Sequence, residues 1–423
     1  MISIRTMILS AGVVATAALS PHVAVADKVE IHMAFSRNPE LYADLAKEFE
    51  AQHPDIRIVM QSGGYTYDDL TQVVLRGAVV SDLPDIAVGS VNQIRLFADR
   101  RLIQPMTELI AADPEWPSLG YMKSAEQAGQ VEGQQFGLPF GVAETVVFYN
   151  ADLVRKAGGD PDHFPTDWDG ILALGARINA LGGMTQGFYM SHYEHTSFWT
   201  FTTLLNSAGG ELLSPDEKKV TFNGPEGVWA LDMFRRFASE AGQTDMSLEQ
   251  ARQSFSAGTL GIFASSSSIL GAFEKNIGIS FDFRIAPWPI PSPKGYLPGA
   301  GNAIMLFAKD PEKQKAAFEF IKFAVGPEGQ TLIPKYTGYA PNNEIAIRTP
   351  ELLGNVYASN PRQKIILEQL KNTKGWFAFP GNIATRVDEV MRDGILDVTT
   401  LKRTPEEVMP EMATRVQGML DNQ

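Results

Sequence analysis

The sequence predicts an α/β fold with two lobes, each a mostly parallel sheet flanked by helices. The chain has 423 residues, which is long enough for two domains that each bury a core. Between residues 29 and 88, segments with strand and helix periodicity alternate in the order β-α-β-α-β, which is typical of parallel strands joined by right-handed crossovers. We therefore expect functional residues at the carboxyl ends of strands, where open α/β sheets bind ligands.

The composition is that of a soluble globular protein. Hydrophobic residues make up 44% of the chain and charged residues 20%, which argues against extensive disorder. The formal net charge is −13, so a basic face that neutralises phosphate groups is not expected. We predict no nucleic-acid partner and no binding to anionic membrane surfaces, and we expect a monomer.

The first 26 residues have the pattern of a secretory signal peptide. Arg5 supplies a positive charge, residues 7–19 are apolar or small, and Ala24 and Ala26 form an A-x-A cleavage signal. The stretch is too short to span a bilayer as a mature helix. Because the chain contains no cysteine, it carries neither a disulfide nor a lipid-modified cysteine after this leader. We therefore predict a freely diffusing periplasmic protein without a lipid anchor.

Three strands early in the chain are followed by polar or aromatic side chains. The strands are predicted at residues 29–35, 56–61 and 85–88, with helices at 39–52 and 68–80. Carboxyl ends of parallel strands meet at one edge of a sheet, so the loops after them are candidate ligand contacts. These candidates are Ser36, Asn38, Tyr67, Ser90 and Asn92. An equally weighted interpretation is that Ser36, Thr66 and Ser90 are only helix caps and that Tyr65 and Tyr67 pack locally.

A run of four serines follows a short apolar strand at residues 260–264. Gly258 suits the left-handed turn after a helix, and the serines can cap the helix that follows. Their hydroxyls and the free backbone N–H groups at this strand end form a polar ledge. We call it the serine ledge and predict ligand contacts from it; its members are Ser265, Ser266, Ser267 and Ser268.

Several segments occur in the order found in a known protein family. They are the helix, strand and serine run at 255–269, Pro84-Asp85-Ile86, Leu138-Pro139-Phe140 with residues 146–150, residues 297–303, and Thr337-Gly338-Tyr339-Ala340-Pro341. This ordered set spans nearly the whole chain after the leader. It resembles the extracellular solute-binding proteins, family 1, of ABC sugar importers, particularly the branch that binds glycerol-3-phosphate and sugars.

The resemblance implies a type II-like periplasmic-binding-protein fold with a hinge cleft. It places residues 27–139 and 296–341 in lobe 1, and residues 140–295 and 342–423 in lobe 2. A sugar, oligosaccharide or sugar derivative would be captured between the lobes and delivered to permease subunits in the inner membrane. The positions that match ligand-binding loops of the family are Tyr67, the serine ledge, Gly299, Ala300, Gly301 and Tyr339.

Three further candidates come from the residues themselves. Glu144 lies in the first crossing between the lobes, where it could bind a ligand hydroxyl or pair with a neighbouring arginine. Trp288 stands in a turn-rich segment that does not otherwise need a large ring, and Trp376 interrupts a mostly helical tail. We predict that all three face the cleft.

Residues 187–200 combine histidines with aromatic side chains. His192 and His195 flank Glu194, but a zinc site needs three or four ligands and no third histidine lies nearby. We therefore predict no metal and no cofactor. Trp199 has two open interpretations: a wall for the apolar face of a sugar ring, or a core residue of its helix.

The machinery of an enzyme is not visible in the sequence. The chain contains no G-x-S-x-G, S-x-x-K, H-E-x-x-H or P-loop motif and no cysteine nucleophile. A secreted carbohydrate-active enzyme remains the alternative, because a glycosidase needs only two acids roughly 5 to 10 Å apart. A chemoreceptor-coupled sensor of the same fold is a third interpretation. We predict a binding protein and not an enzyme.

One departure from the resembling branch bears on the charge of the ligand. Binders of glycerol-3-phosphate place an arginine shortly before the Gly-Asn that matches Gly381-Asn382, whereas the stretch here is Ala378-Phe379-Pro380. A phosphate then lacks a bidentate partner, which favours a neutral or differently charged sugar. Arg37 and Arg386 could serve an acidic sugar.

Overall fold

Strands and helices alternate along the chain, as the sequence predicts. A computed structural model describes residues 28–192, 197–380 and 383–422, so the predicted signal peptide lies outside the described residues. The strands are β1 (Val29–Phe35), β2 (Ile56–Ser62), β3 (Ile86–Ser90), β4 (Gln130–Val131), β5 (Gln134–Gln135), β6 (Gly137–Ala143), β7 (Thr145–Asn150), β8 (Gln186–Met190), β9 (Leu260–Ser266), β10 (Phe283–Pro287), β11 (Leu297–Leu306), β12 (Ala340–Pro341) and β13 (Thr373–Gly375).

The helices vary from single turns to more than four turns. They are α1 (Pro39–Gln52), α2 (Tyr67–Val80), α3 (Gln93–Asp99), α4 (Thr107–Ala112), α5 (Lys123–Ala128), α6 (Ala151–Lys156), α7 (Trp168–Asn179), α8 (Ser197–Ser207), α9 (Pro225–Ser239), α10 (Leu248–Ser256), α11 (Leu270–Ile277), α12 (Pro311–Val325), α13 (Pro327–Gln330), α14 (Leu332–Tyr336), α15 (Glu344–Arg348), α16 (Asn355–Ser359), α17 (Pro361–Gln369), α18 (Ala384–Thr399) and α19 (Pro405–Leu420). Within the described ranges, no helix is both long and apolar enough to cross a membrane.

The opening segment from β1 to β3 follows from side-chain periodicity. In β1, Ile31 and Met33 enter one buried core and Ala34 enters another, because successive strand residues point to opposite faces. In α1, Leu41 and Leu45 lie one turn apart and pack into the first of these cores. The predicted β-α-β-α-β order is therefore confirmed.

The sheet of the first lobe is mixed and not mostly parallel. Its strand order is β12-β6-β11-β3-β1-β2, and β13 pairs with the first residues of β11. β1 is parallel to β2 and β3, as predicted, whereas β11 is antiparallel to β3 and β6. The chain enters β11 from the second lobe, and β11 therefore runs in the direction opposite to that of β3 and β6.

The sheet of the second lobe also departs from the prediction of mostly parallel strands. Its order is β10-β7-β9-β8, and β7 is antiparallel to both of its neighbours. β8 and β9 are parallel. Val147 and Tyr149 of β7 face one core and Val146 and Phe148 face another, so this strand is buried on both sides.

Several crossings join the two sheets and form a hinge. β6 of the first sheet is followed by Glu144 and then by β7 of the second. β10 leads back from the second sheet to β11 in the first. After β12, α17 packs against β10 and β13 pairs with β11. The predicted lobe borders stay predictions, and β6 remains in the first sheet as far as Ala143.

Candidate ligand-binding cleft

A cavity of about 570 Å³ lies between the lobes, with side chains of both in its wall. The first lobe contributes the loops after β1, β2 and β3, and the second contributes the end of β9 and parts of α8, α10 and α18. The sequence-predicted residues that line this cavity are Tyr67, Ser90, Asn92, Ser265, Ser266, Ala300, Gly301, Tyr339 and Trp376. Those that lie outside its lining are Ser36, Asn38, Glu144, Ser267, Trp288 and Gly299.

Tyr67 and Tyr339 form a hydroxyl pair on the first-lobe side. Their Oη atoms lie 3.2 Å apart, although the residues are far apart in sequence. Tyr67 is held in place because it opens α2, whose cap is Thr66: the Thr66 Oγ1 accepts a hydrogen bond from the Asp69 N–H at 3.0 Å. Burial raises the pKa of Tyr67 well above its ordinary value. The neutral Tyr67 hydroxyl is therefore available as a donor or acceptor for a ligand hydroxyl.

The loop after β3 is tied to the Tyr67 loop by Gln93, a residue that the sequence analysis missed. Gln93 Oε1 accepts from the Ser90 N–H at 3.0 Å, and its Nε2 donates to the Tyr67 carbonyl at 2.9 Å. Asn92 is the N-cap residue of α3, but its side chain forms no capping hydrogen bond. Ser90 is not a helix cap, so the capping interpretation fails for this serine.

Ser36 and Asn38 lie beside the cleft but not in its lining. The N-cap residue of α1 is Asn38, with a left-handed backbone (φ 53) and no side-chain capping bond. Ser36 is buried, and its Oγ has no hydrogen-bond partner in the described chain, so this serine is not a cap either. Arg37, between them, does line the cavity, with its guanidinium carbon 5.4 Å from the centroid of the Tyr67 ring.

The serine ledge divides between two roles. Ser265, Ser266 and Ser268 line the cavity, and Ser266 Oγ donates to Ser268 Oγ at 2.9 Å. Ser267 instead points into the protein, where its Oγ accepts from the Glu144 N–H at 3.2 Å and its own N–H donates to the Glu144 carbonyl at 2.7 Å. The change of direction comes from the short 3₁₀ helix Ser267–Ile269, which begins at this residue.

Glu144 is a buried hinge residue and does not line the cavity. Its carboxylate accepts hydrogen bonds from Gln369 Nε2 at 3.1 Å and from Thr373 Oγ1. Gln369 also donates to the Thr145 carbonyl at 2.9 Å. Burial raises the pKa of Glu144 to about 7. Both predicted roles, binding a ligand hydroxyl and pairing with an arginine, are corrected: Glu144, Ser267, Gln369 and Thr373 form a hydrogen-bonded cluster that we call the hinge network.

The two predicted tryptophans have different positions. Trp288 is 3% exposed and packs edge-on against Trp168, with ring centroids 4.8 Å apart. Its predicted place in the cleft is therefore corrected to the core of the second lobe, where the apolar ring is removed from water. Trp376 does line the cavity, and its ring contacts Phe198 and Trp199 at centroid distances of 6.3 and 6.5 Å.

Trp376 belongs to a group of rings that forms one side of the cavity. We call this group the aromatic wall; it consists of Phe198, Trp199, Trp376, Phe377 and Phe379. Trp199 is only 7% exposed, and its Nε1 donates to the Pro298 carbonyl at 3.1 Å. Trp199 is therefore a buried ring of its helix that also borders the cavity, and its packing against a sugar ring stays a prediction.

Glycine is required where the crossing strand β11 passes the cavity. Gly301 has φ 121, and a Cβ there would lie 2.1 Å from the Gly141 carbonyl oxygen of β6. A side chain is therefore excluded by both backbone conformation and space. Gly299 borders a second cavity of about 260 Å³, so its prediction as a contact in the main cleft is corrected. Ala300 borders both cavities.

The charged side chains in the described lining of the main cavity are Arg37, Arg252, Asp68 and Asp388. Burial raises the pKa of Asp388 to about 7, and the charge of Asp68 acts in the same direction. The sequence analysis missed Arg252 and both acids, because it searched strand ends and these residues lie on helices. One usable signal for Arg252 was that its helix, α10, precedes β9, the strand that ends in the serine ledge. Arg386 is exposed and does not line the cavity.

A metal site is not formed by the described residues. His192 is buried, and its Nε2 lies 3.7 Å from Asp245 Oδ1. Burial lowers the pKa of this imidazole. No group of three or more His, Asp or Glu side chains in the described ranges could hold a metal ion. His195 and Glu194 lie outside the described residues, as do Gly381 and Asn382.

Comparison with known proteins agrees with this geometry. Residues 44–361 match the family model of the bacterial extracellular solute-binding proteins. The chain is 23% identical over 401 residues to the sn-glycerol-3-phosphate-binding periplasmic protein UgpB of Escherichia coli, an alignment that covers 89% of this chain and 88% of the relative. The relatives that match are binding proteins, which agrees with the resemblance and its branch.

Two solved structures have the same fold. The cyclic alpha-maltosyl-1,6-maltose binding protein of Arthrobacter globiformis superposes with a TM-score of 0.80 at 22% identity, covering 94% of this chain and 100% of the other. UgpB of Mycobacterium tuberculosis, solved with glycerophosphocholine, superposes with a TM-score of 0.82 at 19% identity, covering 94% and 99%. The predicted two-lobed fold is thus confirmed. Because the family model covers most of its length, the chain belongs to the bacterial extracellular solute-binding proteins.

Proposed function

We propose that this solute-binding protein captures a sugar, an oligosaccharide or a sugar derivative for an ABC importer. The observation that carries the proposal is the composition of the cavity wall, which combines hydroxyl and amide groups with the aromatic wall. A sugar ring has an apolar C–H face that packs on an aromatic ring and hydroxyls at its rim. Trp376 would pack on the face, and Tyr67, Asn92 and the serine ledge would bind the rim.

The cavity draws its wall from both lobes, so a ligand in it would bridge the hinge. Such a ligand stabilises the closed form by its greater affinity for that form. The permease would then recognise the closed form. The relatives named for sn-glycerol-3-phosphate and for a cyclic maltose derivative support a polyol or sugar ligand.

The proposal includes export to the periplasm as a freely diffusing monomer. It is supported by the signal-peptide pattern of residues 1–26, by the absence of cysteine in the sequence, and by the periplasmic relative. We keep the predicted lobe borders at residues 295/296 and 341/342 as part of the proposal and move the first border from 139/140 to the end of β6, because this strand stays in the first sheet as far as Ala143. Limited proteolysis at the three crossings, with and without ligand, tests those borders.

The experiment that tests the ligand class has two parts. Native mass spectrometry of the purified protein identifies any sugar that is carried through purification. A thermal-shift panel of neutral, acidic and phosphorylated sugars follows, since a ligand at one hundred times its Kd stabilises the folded state by about 2.7 kcal/mol. We expect one ligand per chain, recovered unmodified. No shift with any sugar would refute the carbohydrate ligand, and release of a product would indicate an enzyme.

A further inference from the structure

Among the described residues, no acidic side chain forms an ion pair with the guanidinium of Arg37. Arg284, for comparison, binds Asp282 at 2.9 Å and Asp162 at 2.6 Å. The Arg37 side chain is half-buried, lines the cavity and lies over the face of Tyr67. Its charge is thus placed at the ligand site without being neutralised by the protein.

The position of Arg37 in the chain also indicates a role outside the protein's own packing. It comes one residue before Asn38, the N-cap of the long helix α1. The dipole of a helix favours anions at its N-terminus and disfavours cations, so this arginine does not stabilise α1. In addition, Arg37 Nε is buried without a hydrogen-bond partner in the described chain, so the chain does not use all donors of the guanidinium.

We propose that Arg37 is a specificity residue that binds the carboxylate of an acidic sugar in the cleft. The inference rests on the proposed function, since it assigns a chemical class to the ligand of that same site. A guanidinium presents two parallel N–H donors to a carboxylate, which gives a strong and directional contact. The Tyr67 ring beneath holds the planar group in orientation.

The other charged residues of the cavity are compatible with a monoanion. Arg252 also lines the cavity but lies 3.8 Å from Glu249, and Asp68 and Asp388 are the acids in the described lining. Because burial raises the pKa of Asp388 to about 7, this carboxyl is partly protonated at neutral pH. Because Arg252 has its own acidic neighbour, the guanidinium left for a ligand is that of Arg37, and one guanidinium suits a single carboxylate better than a dianionic phosphate.

The test is isothermal titration calorimetry on the full mature chain with ligands that differ only in charge. The pairs are glucose with glucuronate and galactose with galacturonate, as mono- and disaccharides, together with glucose 6-phosphate. We expect the wild-type protein to bind one acidic member at least about tenfold more tightly than its neutral partner. Arg37→Gln should lose that preference, because its affinity for the acidic sugar should fall to that for the neutral partner, and Arg37→Lys should keep part of it.

Arg386→Gln is the matched control, because Arg386 is exposed and lies outside the lining; it should bind like the wild type. Equal binding of both members of each pair by the wild type would overturn the Arg37 proposal and leave the sugar-binding function in place. So would an equal loss for neutral and acidic sugars in Arg37→Gln, or a preference for the sugar phosphate. Failure of every sugar to bind would refute the proposed function itself.

Discussion

The cleft and the hinge use the same kinds of polar residue in opposite ways. In the hinge network, each polar group is bonded to another part of the chain: Glu144 binds Gln369 and Thr373, and its backbone binds Ser267. In the cleft, Asn92 makes no capping bond with its side chain. The cleft also contains polar groups bonded to each other, such as Tyr67 with Tyr339 and Ser266 with Ser268, but these pairs border a cavity that a ligand can enter, whereas the hinge network is closed within the protein.

In the crossing between the two sheets, the largest loss of stability should come from substituting the glycine where β11 passes β6. Gly301→Ala should lower the free energy of unfolding by about 3 kcal/mol, because φ 121 is strained for alanine and the new Cβ meets the Gly141 carbonyl. Urea denaturation measures the change. Gly271→Ala in α11 is the control, since its Cβ would meet no atom within 4 Å. Equal stability of the two variants would contradict the close approach of the strands.

The carboxyl group of the hinge network should make stability depend on pH. Burial raises the pKa of Glu144 from 4.5 to about 7, so the folded state keeps a proton that the unfolded state has lost. The free energy of unfolding therefore falls as the pH rises from about 4.5 to 7, by up to about 3 kcal/mol from this group. Glu144→Gln should remove this part of the dependence and be more stable than the wild type at pH 8.

Urea denaturation between pH 4.5 and 8 measures both proteins. Some slope should remain in the variant, because the pKa of Asp388 is raised to about 7 as well. Glu48→Gln, on the exposed side of α1, is the control and should keep the wild-type slope. If wild type and Glu144→Gln had the same slope, Glu144 would be ionised in the folded protein.

Among substitutions in the cleft, the largest loss of ligand affinity should come from the aromatic wall. Trp376→Ala should weaken binding of the sugar about tenfold, equivalent to about 1.4 kcal/mol, because the apolar face of the ligand loses its packing surface. Trp376→Phe should recover most of the affinity. Titration calorimetry measures both variants, and an unchanged Kd for Trp376→Ala would place the ligand elsewhere in the cavity.

The sequence correctly predicted the order of elements from β1 to β3 and several cavity-lining residues near the ends of strands. Alternating side chains located β1, and the search at strand ends found Ser90 at the end of β3, Ser265 near the end of β9 and Tyr67 at the start of α2, which all line the cavity. Strand direction was not predictable in the same way. Whether β11 is parallel or antiparallel to β3 depends on the lobe from which the chain arrives, and no local pattern contains that information.

The errors within the site have a related cause. Ser266 and Ser267 are identical neighbours, yet only the first lines the cavity, because the chain turns into a 3₁₀ helix between them. Trp288 and Trp376 each come directly after a strand, β10 and β13, and the packing of Trp288 against Trp168 makes it a core residue. Asp388 was missed because its place depends on how α18 packs across the cleft.

The smallest effect on affinity should come from removing the hydroxyl of Tyr67. The exposed Tyr65, two residues earlier, provides a matched control. Tyr67 Oη and Tyr339 Oη share one hydrogen bond, so one hydroxyl hydrogen of the pair remains for a ligand oxygen. Tyr67→Phe should weaken sugar binding about fivefold, or about 1 kcal/mol. Tyr65 is 91% exposed and outside the lining, so Tyr65→Phe should leave the Kd unchanged. Equal effects from both variants would show that the hydroxyl pair does not contact the ligand.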